Sequence, residues 1–263
     1  MSFLSSLKLA QAKNNSLLCV GLDPDTSRIP AGVSIYDFLK KVIDETHDLV
    51  CAYKPQIAYF ASYGGEKDLE NIVTYIHSNY PDIPVIVDAK RGDIGSTAGQ
   101  YAREVFERYG FDAVTVNPYL GYDSFEPFLA HKEKGVIILC KTSNPGSGDF
   151  QNMTLETGRK LYEEVAYQAN HTWNEHGNIL LVVGGTYPEE IARVRTIVGD
   201  DMFFLIPGIG AQWWDIEATV RAARNSHGSG MIINSARAIL YPASGTSREE
   251  AIRTRDEINK YRG

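Results

Sequence analysis

The residues Asp88, Lys90 and Asp93 set two carboxylates around one ammonium within the segment VDAKRGDIGSTA. On an extended strand, side chains at i and i+2 point to the same face, so Asp88 and Lys90 are expected to look the same way while Ala89 packs oppositely. Asp93 follows once the strand has ended. Nearby opposite charges favour the ionised form, which would keep Lys90 an ammonium. Such a lysine is a poor general base but a good electrostatic stabiliser and proton donor. The same pattern also suits an ion-paired strand end leading into a helix N-cap, so the triplet alone leaves both readings open.

A second group of residues suits an anion. PGIGAQ (207–212) supplies Gly208 and Gly210, which let backbone N–H groups approach closely, followed by Gln212; INSARAI (233–239) supplies Ser235 and Arg237. Glycines also serve tight turns, and an arginine after a strand is commonly a surface charge. Their joint occurrence near the end of the chain favours phosphate. The six histidines lack metal-ligand spacing, no metal site is expected, and Trp213 and Trp214 suit loop packing better than base stacking.

These residues need elements to position them. Short, β-branched apolar runs at 17–23, 52–56, 85–90, 113–117, 136–141, 179–183, 203–206 and 231–234 read as strands that are covered on both faces. Between them, apolar residues at i, i+3 and i+4 predict helices over 34–50, 68–80, 97–109, 155–176, 189–198, 216–225 and 247–261. Strand-helix alternation of this kind implies a parallel sheet. Eight rounds close a single (β/α)8 TIM barrel spanning 1–263 as one domain. An open doubly wound sheet usually carries a Gly-rich turn after its first strand, where this chain has GLDPDTS. Function in such a barrel sits at the carboxyl ends of the strands. Those ends carry Asp23, Lys54, the Asp88–Lys90–Asp93 group, Asn117, Lys141 with Ser143, and the two anion-binding segments. The Gly-, Asn- and Ser-rich loop 144–154 is either a lid or simply solvated.

Composition bounds the partners. The 263 residues are 43% hydrophobic and 22% charged, as in an ordinary globular domain. A net charge of -7 argues against a nucleic-acid binder, which must present a basic face. Cys19, Cys51 and Cys140 are odd in number, widely spaced and embedded in apolar runs, the pattern of buried free thiols in a reducing cytoplasm. No apolar stretch is long enough for a membrane span or a signal sequence, so a cytoplasmic location is expected.

Taken in order, GLDP, DAKRGDIGSTA, VNPYLG, KTSNPG, PGIGAQ and INSARAI resemble the orotidine 5'-phosphate decarboxylases over nearly the whole chain, in the bacterial DAKRGDI form. The resemblance implies cofactor-free conversion of OMP to UMP and CO2 in pyrimidine biosynthesis. It assigns proton donation to C6 to Lys90 and a place beside the departing carboxylate to Asp88. A homodimer is implied, with Asp93 and Thr97 reaching the neighbouring subunit's site. Asp23 and Lys54 would hold the ribose hydroxyls, Ser143 the pyrimidine amide edge, and Gly210, Gln212 and Arg237 the phosphate, with Asn117 near the site. Two rivals remain: a Mg2+-dependent sugar-phosphate decarboxylase or aldolase of the same superfamily, and a non-catalytic phosphate-binding barrel, for which the intact triplet would have no use.

Overall fold

The computed structural model describes residues 1–208 and 215–263. Its eight strands are β1 (Leu18–Leu22), β2 (Ala52–Pro55), β3 (Ile86–Arg91), β4 (Ala113–Val116), β5 (Gly135–Lys141), β6 (Ile179–Val183), β7 (Phe204–Pro207) and β8 (Met231–Ser235). The helices are α1 (Phe3–Lys13), α2 (Ile35–Thr46), α3 (Ile57–Ala61), α4 (Glu66–Asn79), α5 (Gly95–Arg103), α6 (Glu126–Leu129), α7 (Gly148–Gln151), α8 (Leu161–His171), α9 (Pro188–Val198), α10 (Ile216–Ala223), α11 (Arg237–Leu240) and α12 (Ser247–Asn259). Among the described residues no helix is long and apolar enough to cross a membrane.

All strand pairs are parallel and run in the order β2-β1-β8-β7-β6-β5-β4-β3. Bridges Tyr53↔Val85 and Gln56↔Asp88 join the two ends, so the sheet closes into the expected (β/α)8 ring. Alternation along each strand then makes two separate apolar regions. Val20, Tyr53, Val114, Ile138 and Ile233 face outward into the layer between barrel and helices. Cys19, Ile86, Ala113, Ile137, Leu180, Leu205 and Ile232 fill the interior. Burial there pushes the Cys19 thiol up to about 12, leaving it inert.

Helix α1 closes the bottom of that interior and is not among the elements expected from the sequence, since it precedes the first strand and lies outside the strand-helix alternation. Phe3 and Leu7 join the interior cluster, the Phe3 N–H donates to the Glu133 carbonyl at 2.7 Å, and Gln11 Nε2 donates to the Met231 carbonyl at 2.8 Å. Gly135 makes room for it, since a Cβ there would stand 2.4 Å from the Phe3 ring. With α1 packed across the floor, the carboxyl ends of the strands are the end of the barrel that the described helices leave uncovered.

Several helices differ from their predicted spans; the one expected over 34–50 already ends at Thr46. The expected 155–176 begins only at Leu161, because Gly158 adopts φ +82° and turns the preceding residues back on themselves; the Lys160 N–H then donates to Glu163 Oε2 at 2.9 Å and starts the helix. The expected 97–109 starts at Gly95 and finishes in a wider turn over Glu104–Arg108. That turn lets the Glu104 carboxylate accept two bonds from Arg91 Nη2, at 3.1 and 2.9 Å. Between β4 and β5 the only α-helix is the single turn of α6. The loop 144–154 is tied down at two points, by Ser147 Oγ accepting from Lys141 Nζ at 2.6 Å and by Gln151 bonding Thr142.

Candidate active site

Above the apolar interior the same inward positions turn polar. Asp23, Lys54, Asp88 and Asn234 follow from β1, β2, β3 and β8, and Lys90 stands at the rim. Lys54 is only 3% exposed and donates to Asp88 Oδ2 at 3.2 Å. Lys90 Nζ donates to the other oxygen, Asp88 Oδ1. Burial opposes the charge on Lys54, but Asp88 and Asp23 outweigh it and hold its pKa above the ordinary lysine value. Burial likewise acts against the Asp88 carboxylate, and Lys54 and Lys90 overcome it, holding that carboxyl far below the usual range. For Asp23 burial wins over the pull of Lys54, and Asp88 adds to it, so this carboxyl lies above the usual range. The row Asp23, Lys54, Asp88, Lys90 therefore alternates in sign, and its central pair is fully ionised.

Lys90 reaches this position by a route that strand alternation did not anticipate. Val87 pairs with Val114 and Arg91 with Val116, so three residues of β3 stand opposite the single residue Thr115. Within that bulge Lys90 adopts φ +47°, a left-handed conformation that costs a non-glycine residue on the order of 1 kcal/mol. Ala89 still packs outward as expected. Asp88 and Lys90 meet, but through the bulge and not through regular i, i+2 geometry.

The other expected site residues fall into three groups. Ser143 follows β5 and is half-buried; the Cβ of any residue but glycine at Gly184 would come within 2.7 Å of the Ser143 nitrogen. Arg237 is exposed at the start of α11, and its charge acts on Asp23 across the mouth. Asp93 does not join the charged row within its own chain: its Oδ1 accepts the Ile94 N–H at 2.8 Å. Thr97, in α5, is exposed. Asn117 caps its own turn, with Oδ1 accepting from the Tyr119 N–H at 3.0 Å. Gly210 and Gln212 lie outside the described residues.

Sequence reasoning passed over Asn234 and Thr115. Asn234 Oδ1, Asp23 Oδ1 and Ser235 Oγ are buried and have no hydrogen-bond partner among the described residues. Buried polar groups are nearly always paired, so the two such atoms at inward positions, Asn234 Oδ1 and Asp23 Oδ1, mark a place for ligand hydroxyls, while Ser235 shares the outward register of Val20. Gly21 lies beside them, and a Cβ at Gly21 would meet Ala236 Cβ at 2.6 Å and Asn234 Oδ1 at 3.3 Å. Thr115 is legible only as the one hydroxyl at an inward position of AVTVN.

A parallel barrel with its floor sealed, and with an alternating lysine–aspartate row at the carboxyl ends of its strands, is an enzyme of the kind that handles a small anionic substrate by electrostatics. The chain belongs to the Orotidine 5'-phosphate decarboxylase / HUMPS family, whose model matches residues 16–252. It is 57% identical to the orotidine 5'-phosphate decarboxylase of Ralstonia pickettii and 58% identical to that of Ralstonia nicotianae, in both cases over 100% of each chain. Among solved structures it resembles the OMP decarboxylase of Leishmania donovani, with a TM-score of 0.90 and 40% identity over 100% of this chain and 99% of that one.

Proposed function

We propose that this protein is a carboxy-lyase that converts orotidine 5'-phosphate to UMP and CO2 in pyrimidine biosynthesis. The observation that carries the reading is the Lys90 ammonium, set against an Asp88 carboxylate that is held ionised by two lysines. Loss of CO2 breaks the bond between C6 and the carboxyl carbon and leaves the electron pair on C6, where the pyrimidine ring delocalises it poorly. A fixed ammonium next to that carbon stabilises the developing charge without any rearrangement of the site. Lys90 then gives its proton to C6, completing UMP, and recovers one from solvent. Charge stabilisation and protonation both come from the chain itself, so the reaction needs no cofactor.

The remaining assignments follow from the same reading. Asp88 lies beside the departing carboxylate. The unpartnered Asp23 Oδ1, together with Lys54, suits the ribose hydroxyls. Ser143 meets the amide edge of the pyrimidine, and Gly210, Gln212 and Arg237 take the phosphate, with Asn117 at the edge of the site.

A second copy of the chain is part of this proposal. Asp93 bonds its neighbour's backbone and makes no ion pair with Lys90 among the described residues, and the exposed apolar side chains Tyr63, Ile94, Tyr119, Leu120, Phe150 and Met153 lie in segments that follow β2 through β5, on the same side of the mouth as Asp93. A homodimer built on that band would carry Asp93 and Thr97 into the partner's site. Sedimentation at micromolar concentration is expected to give twice the chain mass, and a species of single-chain mass would overturn the dimer. The free, buried cysteines fit a reducing cytoplasm.

The function is tested by following the absorbance of OMP in the presence of EDTA. Turnover to UMP is expected. No turnover in EDTA, with activity on a sugar phosphate restored by Mg2+, would replace this reading by the sugar-phosphate one.

A further inference from the structure

We infer that Thr115 is a positioning residue for the decarboxylation, the clip that fixes both the Lys90 backbone and the Asp88 carboxylate; the inference rests on the decarboxylase reading above. Thr115 sits on the inward face of β4 and is only 1% exposed. Its Oγ1 accepts from the Ala89 N–H at 3.0 Å and from the Lys90 N–H at 2.9 Å, and donates to Asp88 Oδ1 at 3.0 Å. A hydroxyl has one proton to give and two lone pairs to offer. All three are used, two by the backbone of the bulge at Ala89 and Lys90 and the third by the Asp88 carboxylate.

The bulge explains why β4 needs a hydroxyl here. β3 has two more residues than β4 between the pairs Val87↔Val114 and Arg91↔Val116. The N–H groups of Ala89 and Lys90 therefore find no carbonyl across the ladder, and buried N–H groups are costly to leave unpaired. Thr115 Oγ1 takes the place of both missing carbonyls. Those bonds hold Lys90 at φ +47°, a conformation that a lysine adopts only when its surroundings enforce it. The third bond reaches the same Asp88 oxygen that Lys90 Nζ contacts, so one side chain fixes the ammonium's backbone and its counter-ion together.

A purely structural Thr115 would change stability alone. A positioning Thr115 changes the chemical step while leaving binding by the ribose and phosphate contacts in place. The experiment measures kcat and KM for OMP, UMP affinity by calorimetry and thermal unfolding for the wild type, Thr115→Val and Thr115→Ser. Thr115→Val is expected to lower kcat by roughly 30- to 100-fold, the scale of an ångström-sized misplacement, with UMP affinity within about threefold of wild type. Thr115→Ser keeps the hydroxyl and is expected to restore kcat to within about threefold. A folded Thr115→Val with wild-type kcat overturns the inference, and so does a Thr115→Ser that loses as much as Thr115→Val. Where Thr115→Val fails to fold, Thr115→Cys takes its place, with the same loss expected and the same wild-type result overturning the role. Wild type inactive on OMP would instead refute the decarboxylase reading, so the two failures are distinguishable.

Discussion

Lys90→Ala is expected to lower the rate of OMP decarboxylation by about three orders of magnitude or more, while leaving the fold and UMP binding close to wild type. Two contributions are lost together. A preorganised charge aimed at a developing anion is worth roughly 10² to 10³ in rate, and a positioned proton donor a further 10² to 10⁴; because one group supplies both, the losses overlap and do not multiply. Stability should change little, because Lys90 is 44% exposed and its removal leaves Asp88 paired with Lys54. The measurement is kcat under saturating OMP, beside UMP affinity and the unfolding midpoint. A kcat within tenfold of wild type, in a variant that still binds UMP, would show that another group donates the proton.

Lys54→Met is expected to have the largest effect on stability. Its ammonium is buried between Asp88 and Asp23, and removing it leaves two buried carboxyls with only the rim ammonium of Lys90 beside them, at a cost approaching the roughly 3–5 kcal/mol of a broken buried pair. The sign of the pH dependence follows from the three groups. Asp88 has a lowered folded pKa, so its contribution is present above the ordinary value of 3.8 and is lost as pH falls toward the folded value. Lys54 has a raised folded pKa, so its contribution is complete below 10.5 and is lost as pH rises through the folded value above it. Asp23 is raised and acts oppositely to Asp88: its contribution is present below 3.8 and lost as pH rises. Without Lys54 both carboxyls are held less firmly ionised. The gap between wild type and variant should therefore be widest from neutral pH up to the alkaline range and should narrow as falling pH protonates the carboxyls that Lys54 no longer holds. Urea unfolding at pH 7 and across the acid range tests this, and a gap below about 1 kcal/mol at pH 7 would contradict a working buried pair.

Much of this was legible in the sequence because it rests on periodicity and on residue type. Eight continuous apolar runs such as ILLVV and MIIN admit little besides covered parallel strands, and the structure forms a strand at each of them. Asp23, Lys54, Asp88 and Lys90 were readable because a charge at the end of an apolar strand is costly unless it is used or paired. Helix α1 was not readable, since its burial depends on Phe3 and Leu7 meeting a cavity that exists only once the ring has closed. The bulge at Lys90 was hidden for a similar reason: it is a mismatch between the registers of β3 and β4, and neither strand shows it alone. Thr115 follows from the bulge, so its part in the site was concealed until the two strands were set side by side. Asp93 and Asn117 are the reverse case. Their residue types pointed to the site, while in the single chain their side chains serve the local backbone.

The seal at the bottom of the barrel also sets an order of events during synthesis. Helix α1 is made before any strand of the barrel, yet Gln11 bonds the carbonyl of Met231, 220 residues later. At about 5–20 residues per second the helix waits roughly 10–45 s for that partner. Phe3 can meet Glu133 and Gly135 once β5 is made, but the ring that α1 seals is complete only when β8 has followed. Until then the apolar face of α1 is only partly covered, and its docking is completed late.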